Sequence, residues 1–389
     1  MKVTKLLRIM VLVLGFGLLL TSKHDTAASR LDLISSNDPL CLPGLPDTQT
    51  GCQLSGPAAY LTNQAENGII LPRNPLPGTQ LDPAYSALAF NYVRLHREET
   101  PIFRSFEEAA ANQNPYQVIP AGFGFVSYVD YAQGSGQGKY YMVEPGMWIR
   151  GGHTSGGVSP SAFNGILFNG TPEQKFGWVV YPADIYQAPG GDEQYKTGQA
   201  LAKFDVIQVY QEIEHRGQTW LMIGPDEWVD KAVTGLVYPA DSPPKGVDNG
   251  RWIEVNLLEQ TISVYQEGRL VFATLASTGI AGWWTRPGLF QITEKLDSTR
   301  MSGAFEADRS DYYYLEDVPW TMYFDEARAL HGAYWHNYFG FEQSHGCVNL
   351  SSGDSHWLFL WASVGDYVYV WDPSGQTPTD PGLYTAGGA

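Results

Sequence analysis

The residues best equipped for chemistry lie in Ser344-His345-Gly346-Cys347-Val348-Asn349-Leu350, preceded by His331-Gly332. Cys347 is the last of 3 cysteines in a chain of 389 residues. A thiol attacks as its thiolate and is mostly protonated near neutral pH, so it needs a base or a positive local field. His331 and His345 are the two imidazoles placed to serve it. This is the raw material of a cysteine nucleophile with a histidine base.

Two other readings compete. A lone cysteine is most often a small buried hydrophobe, but neither a flanking His-Gly nor a spaced His-Gly belongs to that picture. His331, His336, His345 and His356 are half of the 8 histidines, which raises the case for zinc. Yet the spacing of His331 and His336 suits no helical zinc pair, and the second cysteine of a zinc knuckle is missing. No metal and no cofactor is expected, and His336 and His356 read as structural. A papain-like peptidase has its Cys before its His, the reverse of the order here.

The elements that must position these residues are strands. Trp252 to Leu257 alternates, Thr261 to Tyr265 and Leu270 to Leu275 form a hairpin around Glu267-Gly268, and Thr285-Arg286-Pro287-Gly288 turns into Leu289 to Ile292. After the cysteine, a short helix over Ser352 to Ser363, capped by Ser351 or Ser352, precedes a last strand over Tyr367 to Val370. Residues 251–372 thus read as a mostly β domain with one helix near the cysteine.

That domain resembles the YkuD-type L,D-transpeptidase catalytic domain. The resemblance rests on His331-Gly332 followed by Ser344-His345-Gly346-Cys347-Val348-Asn349, and on Thr285-Arg286-Pro287-Gly288, in which Arg286 displaces the usual order of a Thr-Pro-x-Gly turn. It implies a β-sandwich fold with Cys347 as nucleophile and His331 as base, oriented by the Gly332 carbonyl in place of an Asp. Ser344, His345, Gly346 and Asn349 would shape the pocket, with the Gly346 and Cys347 N–H groups facing the oxyanion. Tyr314, Trp320, Met322 and Trp335 would line a peptide groove. The implied donor is a peptidoglycan stem tetrapeptide that loses D-Ala to leave a thioester. An amine acceptor gives a 3-3 cross-link; water makes the same site an L,D-carboxypeptidase.

Upstream, residues 90–165 and 175–238 show an approximate internal repeat at an offset of about 80 residues. Short alternating strands between Gly, Pro and Asp turns resemble two small Src-homology-3-like β-barrels, which would either space the catalytic domain or make weak cell-wall contact. A linker at 239–250 and a tail at 373–389 flank the catalytic domain. Residues 29–89 form a Pro/Gly-rich arm in which a Cys41–Cys52 disulfide is the economical pairing, leaving Cys347 as the odd cysteine. Residues 1–28 read as a signal peptide or an anchor: Lys2, Lys5 and Arg8 precede an apolar run, Ile9 to Leu20, too short for an ordinary membrane span. The chain is therefore expected outside the cytoplasm, associated with the wall or envelope. Its formal charge is -17 with no basic patch beyond the first residues, which argues against nucleic acid as a partner. A rival of another class is a non-catalytic cell-wall-binding protein with a decayed catalytic domain; the intact motifs argue against it.

Overall fold

The computed structural model describes residues 76–134 and 138–384. The export segment and the Cys41–Cys52 pair lie outside these residues. Strands β1 (Asn91–Leu95), β2 (Phe123–Tyr128) and β3 (Thr154–Gly157) form an antiparallel strip with β1 in the middle. Helix α1 (Phe106–Ala111) lies between β1 and β2 in sequence, and the Ser105 hydroxyl caps it by accepting from the Glu108 N–H at 3.1 Å. Strands β4 (Lys175–Val179), β5 (Val206–Val209) and β6 (Thr234–Val237) repeat the strip, again with the first strand central.

The strand order thus recurs, but no closed barrel is found among the described residues. The two Src-homology-3-like barrels are thus not confirmed, and for the first of them the edge of β2 shows what happens instead. An open sheet edge must be paired or covered, and this one is paired with the catalytic region instead of closing on its own unit.

The catalytic region supplies β7 (Arg251–Asn256), β8 (Thr261–Gln266), β9 (Arg269–Leu275), β10 (Gly288–Gln291), β11 (Glu294–Gly303), β12 (Tyr313–Asp325), β13 (Arg328–Gly332), β14 (Val348–Leu350), helix α2 (Ser352–Trp361) and β15 (Tyr367–Trp371). The hairpin, the later strands and the helix fall where alternation and capping placed them. One seven-stranded sheet runs Gly78–Gln80, Ile166–Phe168, β9, β8, β7, β15, β10. The other runs β14, β13, β12, β2, β1, β3, with β11 also on β12. The second sheet crosses from catalytic region to first repeat through a parallel pair that sets Tyr313 beside Phe123 and Leu315 beside Phe125.

Between the sheets lies one apolar core. Ile253, Val255, Ile262, Val264 and Val368 come from the first sheet; Met322, Phe324, Leu330, Val348 and Leu350 come from the second. Helix α2 adds Leu358. The helix begins where the Ser351 hydroxyl accepts from the Asp354 N–H at 3.1 Å. The buried Asp354 carboxylate then accepts from Gly165 N–H at 2.7 Å and Thr274 Oγ1 at 2.5 Å, tying the helix to β9.

Candidate active site

Side chains alternate along a strand, so β13 and β14 each bury one set and present the other. Leu330, Val348 and Leu350 enter the core. His331, Cys347 and Asn349 line a cavity of about 490 Å³ on the opposite face. The two strands run parallel with His331 beside Asn349, and the Ala329 N–H points at Cys347 Sγ from 3.4 Å.

The loop that carries the cysteine is held from both sides. Segment 277–280 brackets it: Ser277 and Asn349 exchange backbone hydrogen bonds at 2.9 and 2.8 Å, and Ser344 N–H donates to Thr278 O at 3.0 Å. Buried Thr285 accepts from Gly279 N–H at 3.0 Å and donates to Gly346 O at 2.9 Å. Its neighbour Arg286 pairs with buried Asp325, which also receives Arg328 at 3.2 Å. The unusual Arg in the Thr-Arg-Pro-Gly turn is therefore an anchor for the hairpin that leads into β13.

Ser344 acts within this loop. Its Oγ accepts the Gly346 N–H at 3.1 Å and donates to Cys347 O at 2.5 Å. The Gly346 N–H is thus already engaged and does not face the cavity as an oxyanion donor, which corrects that part of the expectation. Gly346 itself has φ of 123°, a backbone state that favours glycine, and a Cβ there would come within 3.1 Å of Arg328 Nε.

His331 Nδ1 stands 3.3 Å from Gly332 O. With Nδ1–H donating to that carbonyl, Nε2 is the ring's acceptor. Burial holds the ring down to about 4 against the raising effect of the Gly332 carbonyl. Burial pushes the Cys347 thiol up to about 11, opposed by the Ala329 N–H and the Arg328 guanidinium. At rest the thiol and the imidazole are both neutral, and Cys347 Sγ donates to Ala327 O at 3.7 Å.

Asn349 and His336 form a second arrangement. His336 Nδ1 accepts the Tyr338 N–H at 3.1 Å, and its Nε2 meets the Asn349 side-chain amide at 3.0 Å. Burial lowers this ring to about 4, so it is neutral and carries its proton on Nε2. As placed, Asn349 Nδ2 faces that nitrogen and its Oδ1 is buried with no hydrogen-bond partner among the described residues; two facing donors call for the turned amide, which sets Oδ1 on the Nε2–H and leaves the NH2 for a ligand.

His345 stacks on Phe305 with centroids 4.7 Å apart and meets Trp283 edge-on at 4.7 Å, so it forms wall. Burial lowers its pKa, against Asp311. Of the four groove candidates, Trp335 lines the cavity. Tyr314, Trp320 and Met322 do not. Tyr314 points the other way along β12 into the first repeat's cluster, leaving its neighbours Tyr313 and Leu315 on the cavity side. Met322 is fully buried in the sandwich core. Trp320 lies flat on His356, centroids 4.0 Å apart. His356 also meets Tyr85 O through Nδ1 at 3.0 Å.

Of the lining residues not singled out in the sequence, four come from outside the region that carries the motif. Arg94, Arg97, Phe123 and Phe125 come from the first repeat and reach the cavity through the β2–β12 pairing. No motif marks them.

Residues 250–370 match the sequence model of the YkuD family, described as the L,D-transpeptidase catalytic domain. Among solved structures, an L,D-transpeptidase from Stackebrandtia nassauensis is 29% identical, with 34% of this chain and 59% of that one covered and a TM-score of 0.26. An L,D-transpeptidase from Mycobacterium smegmatis is 19% identical over 43% of this chain and 90% of its own, at a TM-score of 0.30. A cysteine-to-serine mutant of an Enterococcus faecium L,D-transpeptidase is 23% identical over 31% and 50%, at 0.29. No curated protein matches the chain.

Proposed function

We propose that this chain is an exported L,D-transpeptidase that remodels peptidoglycan by acyl transfer through a thioester on Cys347. The observation that carries the reading is the pairing of Cys347 and His331 on one cavity, inside the region that matches the catalytic family, with the Gly332 carbonyl on the far nitrogen of the ring.

In this reading the donor is a stem tetrapeptide. Cys347 Sγ attacks the carbonyl of residue 3 as His331 Nε2 takes the thiol proton. The oxyanion is met by the Cys347 N–H and the Asn349 amide NH2. As the tetrahedral intermediate collapses, the C–N bond breaks and His331 returns its proton to the leaving nitrogen, releasing D-alanine. The thioester is then attacked by an amine whose proton passes to His331, and the thiolate leaves and is reprotonated. With a side-chain amine of a neighbouring third residue as acceptor, the product is a 3-3 cross-link. A carbonyl-held imidazole is a weaker base than a carboxylate-held one, and a thiol needs less help than a hydroxyl.

Intact-mass measurement after incubation with a stem tetrapeptide tests the reading. The expected result is one adduct of the tripeptide acyl mass on the peptide that contains Cys347, with free D-alanine released and no adduct on Cys347→Ala. Full D-amino-acid exchange by Cys347→Ala would sink it.

A further inference from the structure

The first repeat contributes a wall to the catalytic cavity, and the wall is charged. Along β1, Val93 and Leu95 enter the repeat's own cluster, while Tyr92 and Arg94 lie on the alternate positions. Along β2, Val126 is inside and Phe123 and Phe125 face the cavity. Tyr92, Phe125, Leu315, Val318 and Tyr334 form one apolar cluster beneath that wall. The Arg94 guanidinium carbon stands 6.0 Å from the Phe123 ring centroid and 5.9 Å from that of Phe125, so the exposed side chain rests on a fixed aromatic ledge.

The cavity has an unusual charge balance for this chain. The sequence carries 41 Asp and Glu against 24 Lys and Arg. Among the described residues no carboxylate lines the cavity, whereas Arg94 and Arg97 both do. Neither arginine is in an ion pair among the described residues. The imidazoles of His331 and His336 add no charge near neutral pH, because burial keeps both neutral. Two guanidiniums therefore set the sign of a cavity that no carboxylate among the described residues lines, the nearest influence being Asp311 behind His345. A guanidinium recognises carboxylate by paired N–H donors, and its attraction reaches further in a concave site than on an open surface.

We propose that Arg94, with Arg97 beside it, receives a carboxylate of the peptide donor, so that the first repeat is part of the substrate site. The inference rests on the acyl-transfer reading for its substrate class. It assigns the repeat a role in donor selection that neither spacing nor wall contact would require.

The test uses the full chain and two readouts. Binding of a stem tetrapeptide to Cys347→Ala is measured by calorimetry, and thioester formation on the Cys347 chain is followed by mass. Three peptides are compared: free carboxylates throughout, the C-terminal carboxamide, and side-chain carboxamides. Arg94→Gln is expected to weaken binding and acylation about tenfold for the fully anionic peptide and to leave one carboxamide peptide unchanged, the size of one charged hydrogen bond. The peptide that becomes indifferent to Arg94 identifies which carboxylate is held. Arg94→Lys should recover part of the loss, and Arg97→Gln should show a smaller effect with the same peptide preference. Equal losses on all three peptides, or none, would overturn the proposal. Absence of any adduct on the unaltered chain would overturn the acyl-transfer reading itself; if binding then also ignores peptide charge, the arginine proposal falls independently.

Discussion

The ring of Tyr92 lies on that of Tyr334, centroids 3.7 Å apart and planes inclined by 18°. Tyr92 belongs to the first repeat and Tyr334 follows shortly after His331. The Tyr92 hydroxyl also donates to Asp317 O at 2.9 Å, and the Tyr334 hydroxyl to Glu316 O at 2.7 Å. The repeat is thereby fastened to the strand and turn that carry His331. Tyr92→Ala should cost about 3–5 kcal/mol in urea unfolding, as for other buried aromatic truncations. Tyr92→Phe should cost about 1 kcal/mol, the hydrogen bond alone. A Tyr92→Ala chain as stable as its parent would mean that the repeat is not fastened there.

With His331 as the base of the proposed acyl transfer, the pH dependence follows from its burial. His331 must be neutral to accept the thiol proton, and its pKa of about 4 places the acid limb of kcat/KM near that value instead of near 6.5. A pH profile of acylation should therefore be flat from about pH 5.5 through neutrality. An acid limb centred near 6.5 would contradict a buried neutral His331.

Stability should respond to pH through groups of opposite sign. His331 and His336 are held to about 4, so their contribution is full above the unfolded value of 6.5 and is lost as pH falls through 4. Glu316 is raised to about 7, first by burial and then by Asp317. Its contribution is full below the unfolded value of 4.5 and is lost as pH rises through 7. Glu316→Gln keeps the site uncharged, so its stability relative to the parent should rise between pH 5 and pH 8 by on the order of 3 kcal/mol. Urea titrations at the two pH values measure the change; a constant difference would mean that Glu316 ionises normally.

Gly332 is tightly enclosed. A Cβ there would stand 2.6 Å from Ser355 Oγ and 3.0 Å from Pro319 Cγ. Gly332→Ala should push β13 away from α2, cost about 1–3 kcal/mol, and slow acylation by shifting the carbonyl that orients His331. Adding Ser355→Ala to the same chain should restore part of both losses. Thermal unfolding and acylation rates together check this, since failure of the second change to restore either would place the strain elsewhere.

Thr285 holds the cysteine loop with one hydroxyl used twice. Thr285→Val keeps the shape and removes both hydrogen bonds, leaving the Gly279 N–H and Gly346 O unmet in a buried place. A loss of about 1–3 kcal/mol is expected, with acylation slowed more than tetrapeptide binding is weakened. Unchanged acylation would show that the loop holds its form without Thr285.

The sequence made local features legible and left distant ones hidden. Alternation placed β7, β8, β9 and β15, and the Ser351 cap placed α2, because each depends on residues within one turn or one hairpin. The Ser-His-Gly-Cys loop was legible for the same reason. Trp320 and Met322 were misplaced because an apolar side chain near a motif can face either side of its strand, and only the register of β12 decides which. Whether the repeats close into barrels was not legible, because closure depends on what a strand edge meets, and β2 meets a strand far along the chain. Arg94 and Arg97 escaped notice because nothing in their neighbourhood marks them; their place at the cavity comes wholly from that pairing.

Ser127 Oγ donates to Asp317 at 2.6 Å across 190 positions of sequence. This seam has a kinetic consequence. Synthesis delivers the N-terminal part first, so β1, β2 and β3 exist well before their partner β12 leaves the ribosome. Closing so long a loop is slow, because its entropy must be surrendered before any contact forms. The edge of β2 therefore waits in water while the whole second repeat is made. The arginine-bearing wall of the cavity is completed only when β12 pairs with β2, so that side of the cavity forms after the local hairpins of the first repeat are already in place.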